Sequence, residues 1–226
     1  IGLIGTSQPR PAGFLALARD PRVQRGSLIV IAAAPVTTVM LLWGTKYLVR
    51  DHGLDQHDVG YYLWLPPLCF GIGSLLFGEL RTRSARSKAR ASRRPARALV
   101  ASAGALCTLI ALVPLGETPT QCIAIAGIAM AGAGGLYSLA TSDLLAHAAR
   151  GTIPATTSFT TLTQSLVYIV VNPIIGKTVQ HFGNFDWVMT AAGLWVIPGC
   201  VYWLAHSTLH PDPNSGTHPQ LSREHG

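Results

Sequence analysis

Along the chain, apolar positions gather into six long stretches separated by short polar connections. The stretches lie at about 27–49, 59–80, 98–115, 122–145, 154–179 and 185–205. A helix needs about 20 mainly apolar residues to cross the hydrocarbon core of a bilayer. The pattern therefore predicts an all-α membrane protein, a bundle of six transmembrane helices over residues 27–205. Proline and glycine inside these stretches are compatible with spanning, because neighbouring helices and hydroxyl side chains can satisfy the freed backbone groups. Trp43 and Tyr47 near the end of the first stretch, and Tyr61, Tyr62 and Trp64 at the start of the second, sit where interfacial anchors are expected. The third stretch is short and rich in Ala and Leu, and the fourth carries the small-residue run GIAMAGAGG. Residues 1–26 read as a lead-in, a cytoplasmic loop segment whose stretch RPAGFLALARDPR is equally a short amphipathic helix on the inner surface or a plain linker. Residues 206–226 end in HPDPNSGTHPQLSREHG, polar and Pro-rich, which predicts a disordered tail.

Composition agrees with this pattern. Only 12% of the 226 residues are charged and the mean hydropathy is +0.35, against about 25% charged in a soluble domain. The placement of charge then orients the chain. Six spans put both ends on one side. That side holds Arg10, Arg19, Arg22, Arg25, the eight basic residues at 81–97, Arg150 and Arg223, fourteen of seventeen in all. Lys46, Arg50 and Lys177 are left to the other side. Basic residues of short loops stay cytoplasmic, so both termini are expected inside a cell inner or plasma membrane. The basic run GELRTRSARSKARASRR becomes the cytoplasmic loop between spans two and three. No aromatic side chains interleave it for base stacking, which argues against a nucleic-acid partner. The four cysteines lie in apolar runs without metal or redox spacing and read as packing residues; no motif asks for a cofactor or a metal. The chain opens on Ile1 with no signal-peptide pattern, and is expected to be part of a longer protein.

Candidate chemistry is confined to a few positions. There is no HExxH, no serine elbow and no carboxylate pair deep in a span. Asp143 and His147, four apart at the inner end of span four, share a helix face. They read as a proton-coupled or gating pair, or as a helix-end cap beside an interfacial histidine. In span five, Thr157, Thr161, Gln164, Ser165, Tyr168 and Asn172 recur at spacings of three and four, giving one polar stripe that ends in Asn-Pro. Such a stripe faces protein or water, so it is either the wall of a substrate cavity or interhelical glue. Span four offers small residues at Gly127, Ala131, Gly134, Gly135, Ser138 and Ser142, suited to close helix approach, with Tyr137 and Ser138 as the best ligand contacts there. Span two repeats the theme at Gly71, Ser74 and Gly78. In span one, Thr38 and Thr45 share a face, and Lys46 either meets an anionic substrate or snorkels to the interface.

The run YLVRDHGLDQHDVGYYLWLPPLCFGIGSLLFGELRTRSAR resembles the seventh and eighth helices of major facilitator superfamily transporters and the loop that follows. That loop has the form G-x-L-x-D-R-x-G-R; Gly78, Leu80, Arg83 and Arg86 match it, whereas Thr82 and Ala85 replace the Asp and the second Gly. In the family this loop joins charge contacts that lock one conformation, which implies a gating role for Gly78, Arg83 and Arg86. The stretch TSDLLAHAARGTIPATTSFTTLTQSLVYIVVNPIIGKTVQHFGNF is similar to helices ten and eleven of the anion:cation symporter branch, which includes transporters of galactonate and hexuronates. The resemblance runs from about Arg19 to Ala205 and covers the C-terminal half of a twelve-helix fold. It implies cavity-facing roles for Ser138, Thr161 and Ser165, and an N-terminal half that supplies the carboxylate-gripping arginine and the proton-taking acid.

The expectation is thus a secondary transporter that moves a small organic anion, such as a sugar acid, with a proton or another cation. Its partners would be that substrate, the coupling cation, the missing six-helix half and membrane lipid. A self-contained six-span homo-oligomeric channel or scaffold is the second reading. A membrane enzyme working through Asp143 and His147 is the third.

Overall fold

The computed structural model of the chain describes residues 18–86, 94–147 and 153–206. Among these residues every regular element is helical: α1 (Pro21–Leu42), α2 (Gly44–His52), α3 (Gln56–Leu63), α4 (Leu65–Arg86), α5 (Arg94–Thr108), a 3₁₀ segment (Leu109–Leu115), α6 (Pro119–His147), α7 (Ile153–Phe182) and α8 (Asp186–His206). Among the described residues six helical stretches are long and apolar enough to cross a membrane: Val23–Leu42, Gln56–Ser84, Ala96–Leu115, Pro119–Leu145, Pro154–Phe182 and Asp186–His206. These correspond in order to the six expected stretches. Most of the lead-in, the whole tail, and residues 87–93 and 148–152 lie outside the described residues, so the amphipathic-helix and disordered-tail expectations lie there too.

Three features differ from the sequence expectation. Span one ends at Leu42; Trp43 breaks the helix and α2 restarts it. Gly53 then stops α2 in the left-handed conformation (φ 64°), its N–H closing on the Leu48 carbonyl, a backbone state in which glycine carries no Cβ penalty. Span three finishes as a 3₁₀ segment containing Pro114. The basic run after Gly78 does not begin as a loop, since α4 continues through Arg81 and Arg83 to Arg86. Arginine is a good helix former, and positive charge is favourable near a helix C-terminus.

Packing gives the helices distinct ranks. α1 and α6 are central, with 72% and 67% of their apolar windows buried, whereas spans two and five stand outside with 11% and 6%. α1 packs on α6, α7 and α8; α6 packs on α1, α4 and span three; span three and α8 pack on each other. Exchanging spans one, two and three for four, five and six reproduces this pattern. Two three-span units are therefore interleaved, each central helix gripping the outer helices of the other unit. With an odd number of spans per unit, the two units run in opposite directions through the bundle.

Close approach of the helices rests on small residues. A Cβ on Gly73 would fall 2.0 Å from the Ala131 carbonyl oxygen, and one on Gly134 would fall 2.1 Å from that of Phe70. These contacts bring α4 against α6, as the expected role of the small-residue run requires. Pro35 inside α1 cannot donate to the Ile31 carbonyl four residues back; the Trp195 indole N–H of α8 donates to it instead, at 3.2 Å.

Candidate functional site

α7 meets α1 along a polar seam. Gln164 Nε2 donates to the Tyr168 hydroxyl (2.6 Å), and that hydroxyl lies 3.1 Å from Thr37 Oγ1. Thr37 spends its own proton on the Ala34 carbonyl, at 2.9 Å. A hydroxyl has one proton to give, so Tyr168 must donate to Thr37. The chain of bonds thus runs in one direction, from Gln164 through Tyr168 and Thr37 into the α1 backbone. Tyr137 of α6 brings a third hydroxyl beside those of Thr37 and Tyr168. Its oxygen is buried and makes no well-formed hydrogen bond among the described residues, while its ring packs on Phe70 with centroids 5.7 Å apart.

One turn further along α7, Asn172 Oδ1 accepts the Trp43 indole N–H at 2.8 Å. Gly176 lets the Trp43 ring lie close, since a Cβ there would stand 3.4 Å from the ring edge. Beyond Trp43 the seam opens into a cleft of about 570 Å³ at the end of the bundle opposite the described chain ends. Its wall is mainly apolar, from Trp43, Val49, Val179 and Phe185, with Thr45, Gln56 and Gln180 as polar points. Lys46 and Arg50, one turn apart on α2, supply its charge. The Lys46 ammonium rests 4.4 Å from the Trp43 ring centroid. Arg50 Nε donates to the Gly183 carbonyl at 2.7 Å. Among the described residues neither cation is within ion-pair distance of a carboxylate.

The floor of this end is pinned by Asp51, whose Oδ2 accepts the Phe185 N–H at 2.9 Å. Burial, with Asp186 adding to it, raises the Asp51 carboxyl above the ordinary carboxylate range despite that bond. Tyr47 is buried, its hydroxyl 2.9 Å from His52 Nε2 and its ring edge-on to Phe185. Tyr47 and Trp43 are thus internal staples here rather than interfacial anchors. Tyr61 and Trp64 are exposed, as anchors require.

At the opposite end, Asp143 of α6 pairs with Arg25 of α1, and the Arg25 guanidinium stands 5.0 Å from the centre of the Trp203 ring on α8. Spans one, four and six are tied together there. His147 closes α6.

The expected site residues therefore divide. Gln164, Tyr168, Asn172 and Tyr137 meet at the seam, and Lys46 lines the cleft above it. Thr157, Thr161 and Ser165 bond back to carbonyls of their own helix, with Thr161 and Ser165 exposed. The stripe in α7 bonds toward α1 on one edge, as interhelical glue does, and leaves the hydroxyl side chains of Thr161 and Ser165 exposed on the other. Thr38 is not among the residues that line the described cleft: it is fully buried and donates to the Ala34 carbonyl at 2.7 Å. Ser138 faces Gly78 across the α4–α6 contact, where a Cβ on Gly78 would come within 2.9 Å of its Oγ. Arg83 pairs with Glu79 one turn back on exposed α4 at 2.7 Å, and Arg86 is the last residue of that helix.

Thr37, Trp43, Arg25 and Arg50 are site residues the sequence reading passed over. Thr37 and Thr38 are adjacent and chemically alike, and only the direction of α7 tells them apart. A basic residue at the mouth of span one was a signal for Arg25, since a carboxylate buried near a helix end needs a partner.

No protein-family model matches the chain, and no curated protein matches it.

Proposed function

We propose that the chain is one six-span half of a secondary transporter that carries a small organic anion by alternating access, coupled to a proton or another cation. The observation that carries this reading is the interleaved packing of two oppositely directed three-span units. Units of this kind, with a binding site near the midplane where they meet, recur in secondary transporters, including each half of the major facilitator superfamily. The polar seam lies where the two units meet, since α1 belongs to the first and α7 to the second. The resemblance of the end of span four and of span five to the anion:cation symporter branch supports the anionic cargo and carries a sugar acid as its expectation. In this reading the exposed hydroxyl edge of Thr161 and Ser165 faces the second half, and the Arg25–Asp143 pair helps hold one state closed. Both termini face the cytoplasm of a cell inner or plasma membrane, in line with the basic residues gathered at that end.

The test is uptake by the full-length protein in proteoliposomes, with Ser165→Leu and Tyr137→Ala alongside. Both variants should lose most uptake while inserting normally. Uptake equal to the parent by both would remove the seam and the hydroxyl edge from the transport path.

A further inference from the structure

We propose that the far-end cleft binds a carboxylate with an apolar body, an aromatic or alicyclic monocarboxylate in preference to a polyhydroxylated sugar acid; this narrows the cargo of the transporter reading and rests on it. Three features combine. The cleft, about 570 Å³, is of the size that encloses a small organic molecule, roughly 300–1,000 Å³. Its cations sit together: Lys46 and Arg50 are one helical turn apart, Lys46 is held over an indole face, and Arg50 is anchored through Nε, which leaves its two terminal nitrogens without a hydrogen bond among the described residues. A guanidinium edge and an ammonium lining the same cleft suit a carboxylate.

The third feature sets the body of the ligand. Away from the cations the wall is Trp43, Val49, Val179 and Phe185, and only Thr45, Gln56 and Gln180 offer side-chain hydrogen bonds. A sugar acid seated there would turn the hydroxyls on its inner side against apolar wall without partners, and each hydroxyl left unpaired costs free energy. A ring or short hydrocarbon loses no such bonds and packs on Trp43. Trp43 also links the cleft to the seam, because its N–H is the group Asn172 holds. A ligand seated against this indole touches the head of the seam without any new contact being required.

The experiment is equilibrium binding of radiolabelled benzoate to the full-length protein in nanodiscs of zwitterionic lipid, at neutral pH. Competitors are cyclohexanecarboxylate, benzamide, gluconate and dioctanoyl phosphatidylglycerol. Cyclohexanecarboxylate should displace benzoate well. Benzamide, which lacks the charge, and gluconate, which lacks the apolar body, should each be at least about tenfold weaker. Lys46→Gln should weaken benzoate about tenfold and Lys46→Arg should restore it, with unchanged thermal stability of both variants excluding misfolding. Gluconate competing as well as cyclohexanecarboxylate, or Lys46→Gln binding like the parent, overturns the proposal. Displacement by the phosphatidylglycerol at benzoate-like concentrations assigns the cleft to lipid head groups and overturns it equally. Uptake of the same benzoate separates the two claims. Lys46-dependent binding without uptake keeps the site and sinks the transporter reading. Uptake indifferent to Lys46 keeps the transporter and sinks the site.

Discussion

Tyr137 is where structure and function pull apart most clearly at the residue scale. Its hydroxyl is buried beside those of Thr37 and Tyr168 without a hydrogen bond of good geometry among the described residues, and a poorly bonded buried hydroxyl costs up to about 1–3 kcal/mol. Tyr137→Phe is therefore expected to leave thermal stability unchanged or raise it slightly. If that cost is retained for substrate contact, the same variant raises the KM for uptake severalfold with little change in expression. A fall in stability in a melting assay would mean instead that the hydroxyl is bonded in the native bundle. This residue was legible in the sequence as the best polar contact on span four. Thr37 was not, because helical periodicity fixes which residues share a face but not which face meets which helix.

Asp51 belongs to the same scale. Burial raises its carboxyl above the ordinary range, so the folded chain takes up this proton more readily than the unfolded one. Stability from this group is then full below the unfolded-state value near 3.8 and is lost as pH rises through the folded-state value above it. Asp51→Asn should flatten that fall in stability in a melting series taken upward from about pH 4, because the amide oxygen still accepts the Phe185 N–H and no proton titrates.

Among the elements, α6 carries the tightest constraint. Its small residues admit α4 at backbone contact, and the Cβ distances at Gly73 and Gly134 leave no room for a side chain. Gly134→Leu should cost about 3 kcal/mol or more, since overpacking at a backbone contact has no flexible side chain to absorb it. Gly71→Leu is the internal control: it has open space and should melt like the parent. The sequence made the small-residue stripe legible as a packing surface but not its partners, which come from tertiary contact alone. The end of α4 failed differently. A basic run looks like a loop by composition, yet arginine favours helix, and Arg81 and Arg83 extend the element past Leu80, where the sequence pattern ends the span.

For the whole molecule, six spans were legible from apolar run lengths because a bilayer crossing imposes a length that few other structures share. The interleaving of the two three-span units was invisible, since it is a property of contacts between distant segments. Orientation remains an expectation of charge placement and is directly measurable. Single cysteines at Glu117 and Asn184, in a background with the four native cysteines replaced, should react with a membrane-impermeant maleimide added to intact cells. One at Arg97 should react only after permeabilisation. The reverse pattern would invert the bundle and place the Lys46–Arg50 cleft on the cytoplasmic side.

Transport itself is tested most directly by solute counterflow. The full-length protein, reconstituted with unlabelled organic anion inside the vesicles, is given a trace of the labelled anion outside, with and without an inward proton gradient. Alternating access predicts transient accumulation of label above equilibrium, saturation with concentration, faster uptake with the gradient, and loss of most of the signal in Ser165→Leu. Label that only equilibrates, at a rate linear in concentration and indifferent to the gradient, would contradict the account and identify a six-span channel.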